Sequence, residues 1–190
     1  MVSIDLRQDF EAYLAYSDAY RSACNILAKE RHRTSLLFEI GPIYQNAGLA
    51  YELLFKSLLL RSGETRDGVR KKYGHDLWEL FVAVDDRKDI DLEEILKETQ
   101  AQWLETAFNN TSQQLPKLSI SDREEWLKFH NQILALNQNY LRLDEDKKRT
   151  YPSRYIHTER RYAPLSLDIL LPCLDTLIEY ATAFATPAEC

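Results

Sequence analysis

The chain has 190 residues, of which 45% are hydrophobic and 28% charged, enough apolar material for one sizeable core and an ordinary globular balance. A formal net charge of −6 excludes nucleic-acid affinity driven by bulk charge. No run approaches the length of apolar sequence that crosses a bilayer. The first ten residues, MVSIDLRQDF, form no basic and apolar signal segment. The three cysteines, Cys24, Cys173 and Cys190, have neither metal nor redox spacing, so a single cytoplasmic domain over residues 1–190 without metal or cofactor is expected.

In chain order, a first helix is expected from Ile4 to about Glu30, with Phe10, Tyr13, Leu14, Ser17, Cys24, Leu27 and Ala28 as its stripe. Residues 34–40 read either as a helical turn or as an extended connection. A second helix is expected over 42–62. Ile43, Ala47, Ala50, Tyr51, Leu54 and Leu58 recur every three or four residues, the period of one buried helical face. Pro42 suits a first turn, where its missing N–H is harmless, and Gly63 suits a stop. Glu52 and Lys56 stand four apart in the favourable order for a helical ion pair. Residues 61–75 follow as a basic loop, with five bases against two acids. Asp76 and Glu79 then form a capping box that opens a third helix over 76–84.

Asp91 caps a fourth helix over 92–111, and residues 111–120, with Pro116, read as loop. Ser121 and Glu124 form a second capping box for a fifth helix reaching Asn139. Residues 141–163 hold Pro152 and no sustained stripe, a length of connection that is usually functional or disordered. A sixth helix is expected from Pro164, kinked at Pro172, with a wide stripe through Ile169, Leu170, Cys173, Leu174, Leu177, Ile178, Ala181 and Phe184. That stripe and the aromatic surplus predict a homodimer.

Charge is uneven along the chain. Residues 85–98 hold seven acids and three bases, whereas residues 147–161 hold six bases and only Glu159 as an acid. Asp85-Asp86 and Glu93-Glu94 read as a solvated acidic face rather than a cation site, because neighbouring acids on a helix point apart. No two histidines stand at metal-ligand spacing. His130 shares a helix with Trp126 and reads as a boundary residue, and His32 as a solvated one. His75, beside Asp76 at a helix start, reads mainly as structural. With Arg70, Lys71 and Lys72 adjacent, it is also a candidate phosphate contact at a helix N-terminus. Arg160 and Arg161 are the corresponding candidates in the second basic stretch.

The stretch from Ala47 to Leu80 carries Ala-x-x-x-Tyr-Glu-x-x-x-Lys-x-Leu-Leu, a glycine-containing loop, and Gly74-His75-Asp76-Leu77-x-x-Leu80. In this it resembles the HEPN family (higher eukaryotes and prokaryotes nucleotide-binding domain). The resemblance implies an all-α, antiparallel up-and-down bundle of about six helices, often dimeric. Many members are metal-independent ribonucleases of toxin–antitoxin, abortive-infection or CRISPR systems; others are non-catalytic binding or partner modules. The ribonucleases carry Arg-x(4–6)-His near the last helix. The histidine exchanges protons near neutrality and the arginine holds the scissile phosphate. Here His157 lies in the corresponding region, with two residues between it and Arg154 and seven between it and Arg149, so neither arginine has the family's gap. The segment from Arg149 to Tyr155 is instead similar to that of HEPN proteins lacking the catalytic pair. The expected function is therefore a non-catalytic binding module for a nucleotide, RNA or partner protein. The alternative is an endoribonuclease using His157 with Arg154 or Arg149.

Overall fold

The computed structural model describes residues 4–34, 40–114, 119–143, 149–150, 153 and 163–185. Eight helices account for nearly all of them: α1 (Ile4–Thr34), α2 (Ile40–Arg61), α3 (Arg66–Tyr73), α4 (Leu77–Asp85), α5 (Leu92–Gln114), α6 (Ile120–Leu127), α7 (Phe129–Tyr140) and α8 (Leu167–Ala185). Between α7 and α8 a minimal antiparallel pair, β1 (Arg142–Leu143) and β2 (Arg149–Thr150), joins Arg142 to Thr150 and Leu143 to Arg149.

The protein is an all-α bundle, and its cross-helix hydrogen bonds fix the helix directions. Cys24 Sγ meets the Ile43 carbonyl and Ser17 Oγ donates to the Ala50 carbonyl, so α1 and α2 run antiparallel. Arg21 pairs with Asp175 while Arg7 reaches the Ala185 carbonyl, which sets α8 antiparallel to α1. Thr99 bonds Thr176 and Asn110 bonds Asp168, giving the same relation between α5 and α8. α2 lies at the centre. Every apolar residue of its predicted stripe is fully buried, and Tyr51 donates its hydroxyl to the Leu170 carbonyl of α8 at 2.6 Å.

Local sequence explains most of the helix ends. Asp76 accepts from the backbone N–H groups of Trp78 and Glu79, and Asp91 from that of Glu94. Gly63 adopts φ of 94°, the left-handed conformation that closes α2. Five expectations are corrected, the first being the loop over 111–120, whose opening residues 111–114 belong to α5. The first helix runs on to Thr34. The basic loop over 61–75 contains α3, capped by Thr65 through the Gly68 N–H and burying only Val69 and Tyr73, too short a stripe to register as a period. The helix expected over 121–139 is broken at Lys128, whose extended backbone separates α6 from α7, and its cap is Ser119 rather than Ser121. The last helix begins at Leu167, three residues after Pro164, and passes through Pro172.

The α8 stripe from Ile169 to Ala181 is buried against the chain's own α1, α2, α5 and α7. The apolar face that argued for a homodimer is therefore used inside the subunit, and among its stripe residues only Phe184 is exposed, at 45%, with the Arg61 guanidinium 3.3 Å above its ring. No described helix is long and apolar enough to cross a membrane.

Cys24 and Cys173 are fully buried free thiols, and burial pushes both up to about 12. Because the thiolate is the reactive form, both should resist a thiol reagent in the native protein. Titration with Ellman's reagent is expected to find these two thiols only after denaturation. Rapid native labelling of either would contradict the packing.

Candidate functional site

The residues singled out between Ala47 and His75 meet Tyr140 around one buried carboxylate. Glu52, on the central helix α2, is 3% exposed. Its Oε1 accepts from Lys56 Nζ at 2.6 Å and lies 2.9 Å from His75 Nδ1, and its Oε2 accepts from the Tyr140 hydroxyl at 2.6 Å. Three separate elements therefore converge on one side chain: the next turn of α2, the α3–α4 connection and the end of α7. Burial pushes the Glu52 carboxyl up, but the His75 hydrogen bond, the Lys56 charge and the Tyr140 hydroxyl together carry it below its ordinary value. Lys56 is itself only 6% exposed, whereas the His75 side chain is 47% exposed. The cluster thus has a buried ion pair at its base and an imidazole at its mouth.

Gly48 permits this arrangement. It stands one turn before Glu52 on α2, and a Cβ there would lie 2.3 Å from Tyr140 Cδ2. Only a residue without a side chain lets the Tyr140 ring lie against α2 and bring its hydroxyl to the carboxylate.

The N-terminus of α4 is closed from within. Asp76 Oδ1 takes the N–H groups of Trp78 and Glu79 and also accepts from Asn137 Nδ2, while Asn137 Oδ1 accepts from the Leu77 N–H. The three N–H groups that could greet a phosphate are already occupied, and a carboxylate stands in front of them. The pairing of His75 with Arg70, Lys71 and Lys72 is therefore one of adjacency along the chain. His75 turns toward Glu52, whereas the three cations fan across the exposed surface of α3 at successive helical positions. Arg70 lies 3.6 Å from Asp67, and Lys72 sits 4.8 Å from the centre of the Tyr73 ring. All three are exposed.

The connection between α7 and α8 is tied down at points its composition did not reveal. Ser153 donates to Gln45 Oε1 on α2 at 2.8 Å. Asn139 Nδ2 donates to the Ala163 carbonyl while its Oδ1 accepts from the Ala163 N–H, and Gln132 Oε1 accepts from the Ser166 N–H. Arg149 contributes its backbone to β2. Arg154, His157, Arg160 and Arg161 lie outside the described residues, as does the side chain of Arg149. No cluster of metal-ligating side chains occurs among the described residues.

The sequence marks Glu52 and Lys56 only as a helical ion pair and His75 as a candidate contact, and it gives no sign of Tyr140 or Asn137. Both sit on α7, far along the chain, and nothing in their local spacing marks them. Compared with protein-family models, with curated proteins and with solved structures, the chain matches none.

Proposed function

We propose that the protein is a non-catalytic, HEPN-like binding module whose ligand-facing surface is the cationic arc of Arg70, Lys71 and Lys72 on α3. The observation that carries this reading is the saturation of the motif around Glu52. Glu52, Lys56, His75 and Tyr140 bind one another, and Asp76 and Asn137 occupy the N-terminus of α4. Residues so engaged serve to lock three elements together. The cations of α3 stand exposed on the helix just before His75, and phosphate groups of RNA are the chemistry they suit. With the whole chain at −6, such binding is local and strongly salt-dependent.

The test is fluorescence anisotropy of a labelled single-stranded RNA with the full chain and with Lys71→Glu/Lys72→Glu. Both positions are exposed, so the fold should be retained. The variant is expected to bind about tenfold or more weakly and to lower the salt slope by about 1.4. Equal binding by both proteins would remove α3 as the surface. The same RNA incubated with wild type and His157→Ala in EDTA should stay intact. Cleavage that disappears in His157→Ala would overturn the non-catalytic reading and put the endoribonuclease alternative, with Arg154 or Arg149, in its place.

A further inference from the structure

A groove of about 610 Å³ opens between α4, the start of α5 and the α6–α7 junction. That size is typical of a small-molecule site. Its floor is aromatic. The Trp78 and Phe81 rings stand 5.4 Å apart, and Phe81 meets Phe129 edge-on at 5.9 Å. Phe129 is held in place by its backbone N–H, which donates to Gln100 Oε1 at 3.1 Å.

The rim of the groove is acidic. Asp85 and Glu93 line it, and neither is hydrogen-bonded or ion-paired among the described residues. The two basic side chains at the groove have a carboxylate of their own: Lys128 pairs with Glu125, and His130 Nε2 lies 3.8 Å from the same side chain. Burial and the adjacent Asp86 raise the Asp85 carboxyl, against a smaller opposing pull from His130, as expected of an acid short of positive neighbours. The surrounding stretch 85–98 carries seven acids against three bases, so the local field has one sign.

Aromatic faces and uncompensated carboxylates favour the same ligand. A cation is attracted by the ring quadrupole and by the acids, and an apolar body attached to it covers the floor. An anion is opposed by both. We propose that this groove binds a small organic cation with an apolar or aromatic body, its ammonium directed to Asp85 and Glu93 and its body on Trp78, Phe81 and Phe129. The site is separate from the cationic arc of α3 and opposite to it in charge.

Isothermal titration of the full chain with phenethylamine, 2-phenylethanol and phenylacetate at low salt tests the assignment, because the three share a body and differ in charge. Phenethylamine is expected to bind, 2-phenylethanol about tenfold more weakly, and phenylacetate not measurably. Asp85→Asn/Glu93→Gln changes two exposed side chains without touching the core, and a thermal melt confirms its fold. It should lose about tenfold in affinity for the amine and retain the weak binding of the alcohol. The proposal is overturned by absence of amine binding at millimolar concentration, by equal affinity for amine and alcohol, or by an amine affinity unchanged in the folded double variant.

Discussion

Replacing Glu52 with glutamine should destabilise the protein by about 3–5 kcal/mol, the largest effect expected of any single charge change in the described structure. Glutamine keeps the shape of the side chain and can still accept from Tyr140. What it removes is the charge facing Lys56, which is 6% exposed and whose Nζ lies 2.6 Å from Glu52. A buried ammonium without a counter-charge must either remain ionised at a high desolvation penalty or lose its proton. For a chain of this length the melting temperature should fall by about 10 °C. The companion variant Glu52→Gln/Lys56→Met removes both charges and is expected to recover most of the loss. A double variant no more stable than the single one would place the penalty in the Tyr140 and His75 hydrogen bonds instead of in the lysine.

The same carboxylate makes a defined contribution to acid stability. Its folded value lies below the ordinary 4.5, so unfolding takes up a proton in the interval between the two. The stabilisation is fully present above pH 4.5 and is lost as pH falls through the lowered folded value. Urea unfolding from pH 7 down to pH 3 should therefore show wild type losing stability through that interval. The Glu52→Gln variant lacks this component, and the gap between the two proteins should narrow in acid. A gap of constant size would mean that Glu52 is not titrating in the way its partners require.

The second large effect is expected at Gly48. Alanine in a helix interior is ordinarily favoured over glycine by up to about 1 kcal/mol. At this position a Cβ would lie 2.3 Å from Tyr140 Cδ2 and 2.6 Å from Cγ, well inside contact distance. The ring must move, and its hydroxyl then leaves Glu52 Oε2. Overpacking of this kind costs typically about 1–3 kcal/mol, and with a carboxylate bond also lost, Gly48→Ala should be destabilising by about 2 kcal/mol net. In a Tyr140→Leu background the obstruction is gone, and the same substitution should become neutral or stabilising. Chemical denaturation of the four proteins measures this coupling directly. A stabilising Gly48→Ala in wild type would contradict the packing of Tyr140 on α2.

Glu52 and Gly48 also mark the limit of what was legible from the chain. The Glu52–Lys56 pair follows from a spacing of four on a helix, and the structure contains it. That it is buried does not follow, since the same spacing on a solvated face is commoner. Gly48 looks like a weak point in an otherwise well-patterned helix until Tyr140, 92 positions along the numbering, is found against it. His75 was readable as a helix-start residue, but its turn toward Glu52 depends on where α3 places it, and α3 itself left too short an apolar period to be seen. The Asp85 and Glu93 pair, read as a solvated face, lines a groove only because the break at Lys128 carries Phe129 and His130 across from α4.

By itself the sequence determined the all-helical class, the apolar face of α2, the stripe of α8 and the caps at Asp76 and Asp91. Each of these is a local matter of period 3.6 or of a side chain reaching its own backbone. Only the tertiary structure decided which faces meet. It brought Tyr140 and Asn137 to α2 and α4, and it buried the α8 stripe within the subunit. It also separated the cations of α3 from the imidazole beside them in sequence. Those outcomes depend on contacts between residues far apart along the chain, which leave no periodic trace in the segments that make them.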